Sequence, residues 1–254
     1  MARAKVVWCV GAMLCSLAAV TLGEDKAEIG ATGDFFSRYV WRGQNVVNNW
    51  VFQPGASVGY KGLTASVWSN VDLRGEVVGK GSLTETDLTL DYANKLPWWE
   101  TLGYSVGTIY YSFLNTHTHP TAEAYGGLNL EVPLAPAVRW YYDYGQIKGS
   151  YIQFSIGHTI EKLHQWADDC YCGLQVGASV GLGTSEYNEG YFGVDRAAWN
   201  DLTLTAGLPL CLGKLTVRPS IGYSRMLNQD IRSSPTIAGH GDNFWGGVGF
   251  AYSF

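Results

Sequence analysis

Residues 84–93 read TETDLTLDYA. In an extended chain, successive side chains point to opposite faces. That rule puts Thr84, Thr86, Leu88, Leu90 and Tyr92 on one face, and Glu85, Asp87, Thr89, Asp91 and Ala93 on the other. One face is greasy and the other is acidic. The pattern recurs at 137–144, AVRWYYDY, where Val138, Trp140, Tyr142 and Tyr144 oppose Arg139, Tyr141 and Asp143. It recurs again at 151–160, 199–208 and 215–223. About twelve such segments of roughly ten residues follow one another. They lie near 31–42, 50–60, 63–72, 83–93, 101–113, 121–132, 137–146, 150–160, 172–182, 199–208, 215–225 and 244–254. Ten residues is the length of a tilted membrane-crossing strand, about 9–11. Average soluble strands run to about 5–6.

Composition agrees with an all-β chain. The 254 residues are 46% hydrophobic, 14% aromatic and only 15% charged, with 32 glycines, 16 tyrosines and 10 tryptophans. Disorder requires low hydrophobicity and high net charge, and neither holds. A helical coiled coil would be rich in Glu, Lys, Leu and Ala. With 22 acids against 17 bases, no nucleic-acid partner is expected. The mean hydropathy of −0.03 is the average of two opposed strand faces.

Residues 1–23, MARAKVVWCVGAMLCSLAAVTLG, read as a secretory signal peptide. Arg3 and Lys5 precede an apolar run from Val6 to Val20, and small residues stand before the expected cleavage near Gly23. The run is about 15 residues, short of the ~20 that span a bilayer as a helix. Residues 24–254 are then the mature barrel. Removing Arg3 and Lys5 leaves 15 bases against 22 acids, a formal charge of −7. No later stretch holds 18 consecutive apolar residues, which excludes a helical membrane protein.

The connections alternate in length. Lys61-Gly62, NKLPWWE, PLAP and PLCLGK are short, whereas QNVVNN, DLRGEVVGKGS, LNTHTHP, GTSEYNEGYFGVDRAA and LNQDIRSSPTIAGHGDN are longer and mostly polar. Short periplasmic turns and long outer loops form the outer-membrane pattern. GQIK, short on the outer side, and EKLHQWADDCY, long on the inner side, break it. A soluble β-sandwich would also alternate. Strand length argues against it, as do aromatics at strand ends. Those are Tyr39 and Trp41, Trp50 and Phe52, Trp98 and Trp99, Tyr142 and Tyr144, and Phe244 and Trp245. They fit girdles at two membrane interfaces. The expected fold is therefore a transmembrane antiparallel β-barrel of about twelve strands in the bacterial outer membrane, with outer-membrane lipid as its solvent.

Two resemblances sharpen this. The last strand carries Phe250, Tyr252 and Phe254 at alternate positions up to the C-terminus. It resembles the assembly signal read by the bacterial barrel-insertion machinery, which implies that machinery as a partner. At the other end, residues 33–43 read GDFFSRYVWRG. Asp34, Ser37, Tyr39, Arg42 and Gly43 meet the pattern D-x-x-S-x-Y-x-x-R-G. The segment resembles the opening strand of the TorF-type porin family of outer-membrane proteins. The resemblance implies a barrel and transfers no catalytic residues.

Placing Phe35, Ser37, Tyr39 and Trp41 toward lipid puts Asp34, Arg38 and Arg42 toward the lumen. The other strands add Asp72, Glu85, Asp87, Asp91, Glu123, Glu131, Arg139, Asp143, Asp201 and Arg218. Charges on the lipid face cost roughly 2–4 kcal/mol each near the midplane, so this is the cheaper assignment. Two interiors fit. Either the charges form a satisfied polar core in a closed barrel acting through its outer loops, or a water-filled lane runs between arginines and acids. Twelve strands lie between filled barrels of about 8 and open porins of about 16. The expected function is a narrow pore for small polar solutes or cations, without cofactor or metal. His117 and His119 form an isolated H-x-H without a third ligand. No serine sits in a nucleophile elbow, and His240 with Asp242 in GHGD is the one faint sign of a barrel hydrolase. The chain therefore reads as a non-enzyme. Cys170, Cys172 and Cys211 remain in the mature chain, and a bridge between Cys172 and Cys211 at the periplasmic rim is possible.

Overall fold

The structure, a computed structural model, describes residues 26–254. The expected signal peptide therefore lies outside the described residues. In chain order the elements begin with β1 (Glu28–Phe36), β2 (Tyr39–Trp41), β3 (Gln44–Val47), β4 (Val51–Tyr60) and β5 (Leu63–Asp72). Next come β6 (Ser82–Leu96), β7 (Trp99–Ser112), β8 (Thr121–Leu130), β9 (Ala137–Asp143) and β10 (Ser150–Ala167). They are followed by β11 (Cys170–Gly183), α1 (Ser185–Phe192), β12 (Ala198–Gly207) and β13 (Leu210–Leu212). The chain ends with β14 (Leu215–Met226), α2 (Gln229–Arg232) and β15 (Asp242–Ser253).

Twelve of these strands pair antiparallel, each with its neighbours, and close on themselves. The order runs β10-β9-β8-β7-β6-β5-β4-β1-β15-β14-β12-β11, and β11 returns to pair with β10. Closure leaves no edge whose backbone groups would face hydrocarbon unpaired. The first and last strands meet in register, Gly30 opposite Ser253 and Phe36 opposite Gly247. Outside the ring, β13 extends the wall between β11 and β14. The pair β2 and β3 is a separate hairpin.

Burial follows the two faces. Leu88 and Leu90 of β6 are about half exposed, whereas Asp87 and Asp91 on the same strand are buried. Phe35, Val58, Val67, Val106, Phe154 and Ile221 continue the outward apolar band. At the end of this inversion the largest buried set is polar, because the barrel's interior is its charged face.

Several details depart from the sequence expectations. The first strand stops at Phe36 instead of running to Arg42, and the chain then turns inward. Tyr39 is therefore buried and Trp41 half-buried inside the barrel; neither forms a girdle. Trp245 is also buried, seated over Gly222 of the neighbouring strand. Thr84, assigned to the greasy face, is buried because a bulge opposite Asn70 and Val71 inserts one residue and turns it inward, where it accepts a bond from Asn70 Nδ2 at 2.8 Å. The long inner connection EKLHQWADDCY is strand almost throughout. β10 and β11 run through it and turn only at Asp168-Asp169. At about 3.3 Å per residue, the 18 residues of β10 outreach a bilayer crossing, so this hairpin stands beyond the barrel rim. Cys170, Cys172 and Cys211, the cysteines among the described residues, are free. Cys211 lies directly opposite Tyr171, with Cys172 opposite Leu210, so Cys172 and Cys211 point to opposite faces and the possible bridge is not formed.

Candidate functional site: an inward hairpin in an acidic, tyrosine-lined lumen

After Phe36 the chain leaves the wall and makes the hairpin β2–β3. Trp41 pairs with Gln44, so the turn is the two residues Arg42 and Gly43. Both have positive φ, +45° and +79°, the requirement of a type I′ turn. Glycine meets that requirement freely. Arginine does not, and a left-handed residue with a Cβ costs roughly 1–2 kcal/mol. Strain of this sort persists where the surroundings over-determine it.

The surroundings here are the opposite walls of the barrel. Arg42 is buried and makes a two-pronged ion pair with Glu123 of β8, Nη1–Oε1 and Nη2–Oε2 both at 2.7 Å. Glu123 is fully buried, at 0% exposure. Its Oε2 also accepts from Tyr111 of β7 at 2.9 Å. Arg42 Nη1 donates a further bond to Tyr187 Oη at 3.2 Å. The guanidinium carbon lies 4.3 Å from the ring centre of Tyr141, 4.5 Å from those of Tyr151 and Trp41, and 5.8 Å from that of Tyr187. Elsewhere on the hairpin, Tyr39 Oη donates to Glu85 Oε2 of β6 at 2.9 Å. Asn243 Nδ2 of β15 donates to the Gly43 carbonyl at 3.2 Å. The hairpin thus touches β6, β8 and β15 and crosses the lumen. Its root packs Tyr39, Val47 and Val51 against Phe36, Trp41 and Trp68.

Gly43 has a second reason to be glycine. A Cβ there would lie 2.5 Å from Met226 Sδ and 2.6 Å from Asp201 Cβ. Gly43→Val is expected to lower barrel stability by about 1–3 kcal/mol through strain and overpacking, measured as a lower midpoint of thermal unfolding in detergent. An unchanged midpoint would mean that the tip is not docked.

From above, α1 closes over the hairpin. Thr184 caps its N-terminus and Gly193, at φ +68°, its C-terminus. Asn188 ties it to the wall, donating to the Arg196 carbonyl at 2.7 Å and accepting from Asn200 Nδ2 at 2.6 Å. Tyr187 and Phe192 join Tyr151, Met226, Ile231 and Ile237 in a buried apolar cluster. Burial raises the Tyr187 and Tyr191 hydroxyls above the ordinary phenol range, against the pull of Arg42. Tyr191 donates to Asp143 Oδ2 at 3.3 Å, whereas Tyr187 accepts from Arg42.

The expected lumen residues fall into three groups. Glu85, Asp91, Glu123, Asp143 and Asp201 are buried, and each accepts from a tyrosine hydroxyl. The donors are Tyr39, Tyr125, Tyr111, Tyr191 and Tyr151 respectively. Asp34 and Arg218 flank Gly249 on adjacent strands, Asp87 is buried beside Glu85, and Arg139 stacks 5.3 Å over Tyr125. The remaining three are elsewhere. Asp72 caps the 73–81 turn, accepting N–H bonds from Arg74, Gly75 and Val77. Glu131 is exposed at the rim and pairs with Lys95 at 2.6 Å. Arg38 lies half-buried in the break between β1 and β2. Asp242 pairs with Arg232 at 2.9 Å and Arg225 at 3.6 Å, and no His240–Asp242 pair forms among the described residues.

Sequence reading missed the tyrosines. Phenol hydroxyls, more than arginines, donate to the buried carboxylates. The signal was present in parity: Tyr125 lies two residues after Glu123, Tyr141 lies between Arg139 and Asp143, and Tyr151 is opposite in face to Ile152.

No protein-family model matches the sequence, and no curated protein matches it. Among the solved structures that match, two porins share the architecture. The KdgM porin superposes with a TM-score of 0.52 at 13% identity, covering 89% of this chain and 99% of its own. The NanC porin does so with a TM-score of 0.52 at 13% identity, covering 89% and 100%. By fold, then, the chain is a closed twelve-stranded antiparallel β-barrel like those of these two porins.

Proposed function

We propose that this barrel is a narrow outer-membrane pore for small polar solutes, with a preference for cations, and that hairpin β2–β3 is its constriction. The observation that carries the reading is the interior itself. Buried carboxylates on β6, β8, β9 and β12, tied to tyrosines, surround a hairpin that docks Tyr39 on Glu85 and Arg42 on Glu123. A barrel that served only as a scaffold could fill its core with apolar side chains at lower desolvation cost. Asp34, Glu85, Asp87, Asp91, Asp143 and Asp201 would line the path, with Arg139 and Arg218 as minority charges. Rings of carboxylates favour cations. Kinship with the TorF-type porins belongs to the same proposal. It is supported by the contacts of Tyr39, Arg42 and Gly43 and by those of Ser37, whose N–H and Oγ both bond to Gly246. Cleavage near Gly23 would release the mature chain.

Planar bilayers containing the purified barrel test this. The expected result is a small, cation-preferring conductance. No conductance above the bare membrane, in the wild type and with the hairpin removed, would leave a closed barrel acting through its loops. Assembly is a separate outcome. Phe254→Ala should lower the yield of folded, heat-modifiable barrel in outer membranes, through the insertion machinery, while refolding in detergent is unaffected. Equal yields in membranes would remove Phe254 from the assembly signal.

A further inference from the structure

We propose that Tyr141, Tyr151, Tyr187 and Glu123 form a binding cage for guanidinium-bearing cations, and that Arg42 occupies it as a built-in competitor. The cage stands apart from its occupant. Glu123 is on β8, Tyr141 on β9, Tyr151 on β10 and Tyr187 on α1. Removing the hairpin would therefore take away only Arg42 and Trp41 and leave the receptor in place.

The geometry selects one chemistry. Both Glu123 oxygens face parallel N–H groups at 2.7 Å, the fork that a planar guanidinium fills and an ammonium cannot. Ring centres at 4.3 Å and 4.5 Å cover the flat cation, within the distance at which the ring quadrupole attracts a positive charge. Tyr111 and Tyr187 hydroxyls complete the polar contacts, the first donating to Glu123 and the second accepting from Arg42.

Arg42 itself suggests competition. A type I′ turn calls for Asn, Asp or Gly at its first central position, and this hairpin places arginine there at φ +45°. Within the turn, the strained residue gains nothing. Its return comes from the cage. A solute presenting the same group would exchange with Arg42, undock the hairpin and enter the lumen. The transport part rests on the pore reading above; binding does not.

The test is binding in detergent by the full barrel, with agmatine as the free guanidinium probe, Ala-Arg-Ala as the peptide-borne one and cadaverine as the ammonium control. Arg42→Ala is expected to bind agmatine about ten-fold more tightly than the wild type does, and about ten-fold more tightly than it binds cadaverine. Adding Glu123→Gln should abolish the difference. Preference between agmatine and Ala-Arg-Ala decides whether a free solute or a peptide side chain is the natural source. Folded Arg42→Ala that binds agmatine no better than cadaverine overturns the cage. The wild type supplies an arm that needs no variant. There, agmatine should expose the hairpin, and chymotrypsin cleavage at residues 39–41 should rise several-fold with agmatine but not with cadaverine. No rise overturns the competition. Agmatine binding without conductance would sink the pore reading alone, and conductance without agmatine binding would sink the cage alone.

Discussion

Removing residues 39–47 and joining the break after Phe36 to β4 by a short glycine turn should raise single-channel conductance several-fold. The hairpin reaches from Glu85 on β6 to Asn243 on β15 and rests its tip against Met226 and Asp201. It therefore blocks the lumen at its level. The wall does not depend on it, since β1 pairs with β4 along its whole length and with β15 from Gly30 to Phe36, without β2 or β3. The shortened barrel should fold and show heat-modifiable migration. Its cation preference should persist, because the carboxylates of β6, β9 and β12 remain. A conductance equal to the wild type would place the constriction elsewhere, with α1 and its apolar cluster as the next candidate.

The second large effect is expected from Glu123→Ala. This change strands the Arg42 guanidinium in a site where it is only 6% exposed. Breaking a buried ion pair by removing one partner costs about 3–5 kcal/mol, because the other charge is left uncompensated. Neither alternative open to the hairpin is mild. It undocks and carries Arg42 to water, or the folded barrel loses that much stability. Undocking gives higher, noisier conductance and rapid chymotrypsin cleavage at residues 39–41. Arg42→Ala with Glu123→Ala should recover much of the lost stability, since no charge is then buried alone. A double variant as unstable as the sum of the two singles would show that the pair is not coupled.

Much of the wall was legible from sequence. Segments marked near 50–60, 63–72, 121–132 and 199–208 coincide closely with β4, β5, β8 and β12. Period-2 alternation is a local property, and a closed barrel in lipid imposes it on every strand alike. Failures came where alternation continued past the end of the wall. Ser37 to Arg42 keeps the rhythm of the first strand, so Tyr39 and Trp41 read as lipid-facing, yet the chain there belongs to another sheet. At Thr84 a single bulged residue shifted the phase. For the cysteines, register decides direction: Cys211 lies opposite Tyr171, and one residue of offset puts the Cys172 and Cys211 thiols on opposite faces.

The same division holds for the site. Sequence by itself determined that the chain is all-β and that one face of each strand is apolar and the other polar, with most, though not all, of the expected acids turned to the second face. Each of those conclusions needs only neighbours in the chain. Only the tertiary structure decided that Arg42 meets Glu123, 81 positions away, and that Tyr141, Tyr151 and Tyr187 surround the pair. Closing the ring brings β8, β9, β10 and α1 around one point of the lumen. No pattern along a single strand encodes which side chain from a folded-in loop arrives there.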